Sequence, residues 1–348
     1  MTEMMLVEFF VVFLGACIGS FLNVCIVRLP KEQSVVSPGS HCMSCKKPIA
    51  WFDNIPMLSY LVLGGKCRYC KTGYSIRYFF IELLTAVTFW AFYKIFGLTA
   101  LTLAYWVMVS GFIVATFVDF EHRIIPDEVS VGGMCVGMVL SLFIPQLHGL
   151  VVQSGHWMIY LQSLGWSALG ALAGGGTIYA MTVIGNSFIP RSMRKIDHAT
   201  KEEFDDAFSP LKKDIIDGLR NNMIRSGYMN ENGDILSAYW DVKKAADLQF
   251  DPEFAGYKKK VFKTVMMDTT GGGDVKLMAM VGAFLGWKLA VLTFFLAPFF
   301  GATYGIVEKI RTKDSAIAYG PFLVLAALAS LFYGNKIILF VLNGYTLP

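Results

Sequence analysis

ALTLAYWVMVSGFIVATFVDFEHR, residues Ala100 to Arg123, decides how this chain folds. Its first part carries no charge and is long enough, at about 1.5 Å per helical residue, to cross most of a hydrocarbon layer of about 30 Å. It then meets an aspartate, Asp119, where the apolar run gives way to polar residues. An ionisable side chain at membrane depth costs several kcal/mol or more to bury, so such residues mark function by default. The same situation recurs at Asp274, which follows Gly271-Gly272-Gly273 and precedes another apolar run.

Working outward, comparable runs cover roughly 4–27, 79–97, 99–118, 129–145, 158–184, 277–287, 289–307 and 317–333. The predicted fold is therefore an all-α polytopic membrane protein with about eight transmembrane helices. The segment 277–287 is short and merges with the next through Gly286-Trp287-Lys288, and a last apolar piece, Ile337–Leu342, is too short to cross. Composition agrees: 55% of the 348 residues are hydrophobic and 16% are charged, against roughly 25% in an ordinary soluble domain. The first run reads as a retained span, because its basic residues, Arg28 and Lys31, follow it.

Polar material is confined to two blocks, about 28–78 and 185–270. Of the 30 Lys and Arg residues, 27 fall after the first, third, fifth and seventh spans, leaving Lys94, Lys288 and Lys336 on the other side. The positive-inside rule then puts both blocks and both aspartates on the cytoplasmic side. The basic clusters lack the aromatic interleaving of a nucleic-acid groove, so no nucleic-acid partner is expected.

Four of the seven cysteines form Cys42-x2-Cys45 and Cys67-x2-Cys70. Paired hairpins of this spacing present four thiolates in the tetrahedral set of structural zinc. Two disulfides are the competing reading, which a reducing cytoplasm disfavours. A closed four-thiolate site leaves no open coordination position, so the expected Zn2+ is structural. A block of this size buries little core of its own, which makes a metal staple and docking on the membrane face both expected, with Trp51 and Tyr60 as interface anchors.

Three carboxylates follow the third span, namely Asp119, Glu121 and Asp127. Asp127 succeeds a proline and suits the first turn of a helix, where a carboxylate meets free amides. The three glycines before Asp274 offer backbone without side chains, suited to close approach by an extended peptide, although a flexible turn capped by Asp274 has the same signature. Taken together, Asp119 and Asp274 have the makings of an aspartyl peptidase. One carboxylate takes a proton from water while the other, protonated, donates to the scissile amide. Which is which stays open, because coupled carboxyls titrate as a pair.

These residues resemble the type IV prepilin peptidases, also called prepilin leader peptidase/N-methyltransferases. The resemblance rests on Gly19-Ser20-Phe21-Leu22-Asn23-Val24 with Arg28-Leu29-Pro30, both cysteine pairs, Asn54-Ile55-Pro56 with Ser59-Tyr60, and Arg77-Tyr78 with Glu82. It continues through Asp119 to Pro126-Asp127, Gly271 to Leu277, and Gly320-Pro321-Phe322. It implies a bacterial inner-membrane enzyme that cuts the basic leader of type IV prepilins or type II secretion pseudopilins at the cytoplasmic face. It also implies methylation of the new N-terminus with S-adenosylmethionine. Asp119 and Asp274 align with the catalytic pair, and Cys42, Cys45, Cys67 and Cys70, the expected metal ligands, with the zinc-associated cytoplasmic domain, while Gly271, Gly272, Gly273 and Asp127 are expected to position substrate and backbone. Methylation goes with the cysteine block, but no Gly-rich nucleotide fingerprint locates the methyl donor. A peptidase without methylation and a membrane ion-binding scaffold with a zinc adaptor are the alternatives.

The expected organisation is a first helix over 1–27, a cytoplasmic zinc domain over 28–78, helices two to five over 79–184, a cytoplasmic insert over 185–268, and the glycine motif with the remaining helices over 269–348. Two departures from the family pattern stand out. Met43 takes the place of a proline after the first cysteine, and the insert is far longer than the usual loop. Its mixed charged and apolar stretches, Lys212–Ile224 and Tyr239–Phe254, read as a small helical subdomain. Lys258-Lys259-Lys260 and Lys263 suit anionic lipid headgroups, and Asp268 could receive a basic leader.

Overall fold

The computed structural model describes residues 2–151, 157–188, 195–196, 238–239, 272–312 and 318–342. Its helices are α1 (Thr2–Arg28), the short α2 (Leu58–Val62), α3 (Arg77–Phe96), α4 (Ala100–His122), α5 (Asp127–Phe143), α6 (Met158–Phe188), α7 (Gly272–Thr312) and α8 (Gly320–Leu342). Two compact units are present, one of residues 1–178 with 273–348 and one of residues 179–272. In the second, β1 (Lys195–Ile196) pairs antiparallel with β2 (Ala238–Tyr239), a small departure from an all-helical chain. Tyr239, expected to open a helix, lies in that strand. The expected helix at Lys212–Ile224, the rest of the stretch to Phe254, Asp268 and the lysines at 258–260 and 263 lie outside the described residues.

Among the described residues six helices are long and apolar enough to cross a membrane, against the eight expected from apolar runs. The difference has two sources. The fourth run forms α5, which has only 17 residues. The runs 277–287 and 289–307 fall within α7, interrupted at Gly286, whose φ of 78° and ψ of 168° are not helical. The terminal piece Ile337–Leu342 is no separate segment either, because Gly334-Asn335-Lys336 stay helical and α8 absorbs it.

Gly286 reverses the chain. A straight helix would separate Asp274 from Tyr304 by about 45 Å. Instead Asp274 lies in Coulombic range of Asp119, and the Tyr304 ring sits 6.4 Å from that of Phe120, one residue further along α4. The two arms of α7 therefore run antiparallel. Left-handed backbone of this kind suits glycine, which has no Cβ to strain it.

At the centre is α4. Its most apolar window is 61% buried, against 28–44% for the other spans. Trp106 anchors it to α3, with its indole N–H donating to the Phe89 carbonyl at 3.0 Å and its ring stacked on Phe89. Without a hydrophobic driving force between helices in lipid, association depends on close packing of small residues. Gly15 and Gly19 let α1 meet α3, where a Cβ would fall 2.8 Å from the Ala86 Cα and 2.7 Å from the Glu82 Cα. Gly170 of α6 and Gly282 of α7 bring their backbones together still more tightly, each leaving no room for a Cβ beside the other's carbonyl. The Ser167 hydroxyl reinforces this contact, donating to the Ala283 carbonyl at 2.7 Å.

Overpacking a tight contact costs about 1–3 kcal/mol when side chains can shift, and here the obstacle is backbone. Gly282→Val should lower the apparent unfolding temperature of the purified protein by about 5–10 °C, or prevent its accumulation. Gly176→Ala, whose Cβ meets open space, should leave it unchanged in the same thermal scan.

Candidate active site

Asp119 is delivered by the last turn of α4. Arg123 ends that helix in a left-handed conformation, with its N–H bonded to the Asp119 carbonyl at 2.9 Å. The chain then runs through buried Ile125 and Pro126 into α5. Asp119 is itself buried, and its Oδ2 accepts from the Gly320 backbone N–H at 2.8 Å. Gly320 is the first residue of α8, where helical amides lack internal partners and favour negative charge. A Cβ there would lie 2.8 Å from Asp119 Oδ2, so the approach requires glycine.

Asp274 enters from the opposite side, in the first turn of α7. It is half-buried and in Coulombic range of both Asp119 and Tyr319. The structure thus brings the two aspartates to one end of the bundle. Of the three glycines before Asp274, Gly271 lies outside the described residues and Gly272 is exposed with open space around it. Gly273 packs on Ile125, its virtual Cβ 3.2 Å from the Ile125 Cβ, which seats the start of α7 against the turn that carries Asp119.

Asp127 opens α5, and its carboxylate takes the Lys276 ammonium at 2.6 and 2.8 Å. It therefore ties α5 to α7 two residues beyond Asp274. The pair is largely exposed, so its energetic weight is small and its effect is one of alignment. Glu121 pairs with Arg77 at the start of α3, joining the end of the cysteine block to α4.

In that block the two cysteine pairs form matching knuckles. Cys42 and Cys67 each accept, through their carbonyls, from the N–H four residues on, and each donates to the carbonyl five residues on, with lengths of 2.9–3.0 Å throughout. Lys46 and Lys71 both turn the chain with positive φ, 59° and 58°. The four Sγ atoms lie within 4.8 Å of one another, and Cys42 and Cys70 are 3.7 Å apart. Tetrahedral zinc with bonds of about 2.3 Å needs sulfurs ~3.8 Å apart, so the set fits that ion. The backbone amides of Cys70 and Tyr69 hold the Cys67 thiol down at about 6, and those of Cys45 and Ser44 lower Cys42, which favours thiolates at these two positions, whereas burial and the neighbouring thiols push Cys45 up to about 11.

Asp53 and Arg68 clamp the two halves of the block together in a bidentate pair at 2.6 Å, and Arg68 also lies over the Phe52 ring. The block is moored to the membrane helices by Glu82 of α3, whose Oε2 accepts from the Met57 N–H at 2.7 Å.

Comparison with known proteins places these features. Residues 13–96 match the bacterial peptidase A24 N-terminal domain, and residues 254–306 match the type IV leader peptidase family. In both regions the chain is similar to type IV prepilin peptidases. A relative from Myxococcus xanthus, named prepilin leader peptidase/N-methyltransferase, is 43% identical over 132 residues, which is 38% of this chain and 39% of that protein. One of the same name from Pseudomonas aeruginosa is 25% identical over 94% of this chain and 90% of its own length. Another from Neisseria gonorrhoeae is 32% identical over 49% of this chain and 63% of its own. No solved structure matches.

Sequence reading marked Asp119, Asp274 and the cysteines, but gave no role to the group that meets Asp119. The Gly320 amide is backbone, and the sequence showed it only as part of the Gly320-Pro321-Phe322 stretch of the resemblance, with no contact to Asp119 attached. Tyr319 left no signal at all. The purified chain should carry one Zn2+, and Cys67→Ser should lose at least half of it while residues 41–73 become open to protease, as metal analysis and limited proteolysis would read.

Proposed function

We propose that this chain cleaves the basic leader of type IV prepilins or type II secretion pseudopilins at the cytoplasmic face of the bacterial inner membrane, using Asp119 and Asp274. We further propose that it methylates the new N-terminus with S-adenosylmethionine. The supporting observation is the meeting of two membrane-depth carboxyl groups, carried by α4 and by the first arm of α7, at one end of the bundle. Relatives across the chain's length are named for both activities.

In the mechanism one carboxylate takes a proton from water, and the resulting hydroxide adds to the scissile carbonyl. The other carboxyl group donates its proton as the C–N bond breaks and the amine departs. The pair acts as one titrating unit. The Gly320 N–H fixes the Asp119 rotamer, and Gly273, seated on Ile125, sets the distance at which Asp274 faces it. Gly272, exposed and without a side chain, suits close approach of an extended substrate backbone.

In this reading residues 28–78 serve methylation and are stapled by zinc at Cys42, Cys45, Cys67 and Cys70. The zinc only holds the knuckles, since four thiolates complete its tetrahedron. S-Adenosylmethionine, when bound, supplies the methyl group. A cavity between α1 and the cysteine block has the size and the polar groups to hold it. Residues 185–268 stand as a cytoplasmic insert, and the basic residues near 258–263 suit lipid headgroups.

The test is cleavage of a prepilin with a basic leader by reconstituted enzyme, the product N-terminus being read by mass spectrometry. Asp119→Asn and Asp274→Asn should each reduce cleavage by at least ~10³-fold, the scale of losing a general acid or base. Survival of cleavage in either variant would overturn the assignment. Gly320→Ala, which pushes on Asp119 Oδ2 without removing a carboxyl, should cost about 10- to 100-fold in kcat with KM little changed. A product that gains one methyl group separates the two-activity enzyme from a peptidase alone.

A further inference from the structure

Neither the aspartates nor the thiolates account for a cavity of about 320 Å3 between the last third of α1 and two loops of the cysteine block. One wall is a single helical face, with Ser20, Phe21, Val24 and Arg28 at helical spacing. The opposite wall includes Val36 and Asn54. The volume falls in the range of about 300–1,000 Å3 typical of cofactor sites.

The chemistry of the lining is graded along its length. At the loop end, Arg28 spends two N–H groups on the carbonyls of Ser34, at 2.9 Å, and Gly39, at 3.5 Å. These bonds fix its planar fork and leave further donors for an anion, above all a carboxylate. At the other end, Ser20 follows Gly19, whose missing Cβ lets α1 lie against the backbone of Glu82. The Ser20 hydroxyl faces the Glu82 carboxyl, and Cys17, which also lines the cavity, is in its Coulombic range. A carboxyl behind a hydroxyl is the natural counterpart of a cation. Between these ends Phe21, Val24 and Val36 are apolar and suit a flat ring, while the Asn54 amide both donates and accepts.

A carboxylate, a fixed cation and a planar heterocycle occur together in a sulfonium nucleoside amino acid. We infer that this cavity binds S-adenosylmethionine, with Arg28 receiving its carboxylate, Phe21 and Val24 flanking its base, and Ser20, backed by Glu82, facing its sulfonium. The inference rests on the methylation half of the proposed function. It explains why α1, far along the chain from both aspartates, carries a polar face at the membrane boundary. It also gives the cysteine block a purpose beyond its own folding, since zinc and the Asp53–Arg68 clamp hold the loop with Asn54 against α1.

The experiment measures equilibrium binding of S-adenosylmethionine to the full chain in lipid nanodiscs, with leader cleavage and N-terminal methylation followed on the same preparations. Val24→Trp fills the cavity, and Val36→Glu puts a negative charge at its mouth. Both should weaken binding at least tenfold and abolish the methyl gain while cleavage continues. Arg28→Met should weaken binding similarly, and Arg28→Lys should restore part of it. Val36 is 85% exposed, so Val36→Glu carries the test if Val24→Trp fails to fold. Wild-type binding and methylation that persist in Val36→Glu and Arg28→Met would overturn the cavity assignment. A wild-type chain that cleaves yet neither binds the donor nor methylates would instead overturn the methylation reading on which it rests.

Discussion

A carboxyl group at membrane depth must find donors inside the protein, and the hydrogen bond from the Gly320 N–H to Asp119 Oδ2 is where this fold meets that demand. An unsatisfied polar group costs several kcal/mol in hydrocarbon, where water offers no substitute. The amide comes from the first residue of α8, one of the few backbone donors that a helix leaves free. Its approach is possible because the residue is glycine, with the Ile125 side chain packed beside it. The most enclosed helix, α4, thus ends against the start of α8.

Asp274 meets Asp119 from α7, which folds back at Gly286. The first arm brings Asp274 down beside Asp119, and the second places Tyr304 next to Phe120. Backbone contact between Gly170 and Gly282 holds the hairpin against α6, while the Thr293 hydroxyl donates to the Ser330 hydroxyl at 3.0 Å and joins it to α8. Polar ties at the membrane boundary do comparable work for the cysteine block. Glu82 holds Met57, Arg77 holds Glu121, and the Asn23 amide donates to the Tyr78 carbonyl at 3.1 Å, so the block and the aspartates share one frame.

The parts legible in the sequence were those that break a strong rule. Charge inside an apolar run is rare, so Asp119 and Asp274 stood out. Four cysteines in two spaced pairs are rarer still outside metal sites. What escaped was carried by backbone or by very short elements. The Gly320 amide has no side chain to announce it, and Tyr319 reads as one more aromatic residue at a helix boundary. The break at Gly286 falls where the sequence reading divided the runs 277–287 and 289–307, but nothing in the apolar pattern showed that the two arms fold back on each other. The run at 129–145 registered, but the helix it forms has only 17 residues, and the two-residue strands at 195–196 and 238–239 are too short for periodicity to register. Asp127 read first as a helix-start carboxylate and does open α5, but its ion pair with Lys276 of α7 left no trace in the sequence.

The most direct measurement of the central claim, that two carboxyl groups held together by α4, α7 and α8 act as one acid–base unit, is the pH dependence of kcat/KM for leader cleavage in reconstituted enzyme. The account predicts two limbs: activity falls on acidification as the base takes up a proton, and falls on the alkaline side as the acid loses its own. A profile with a single limb, or none, would contradict it.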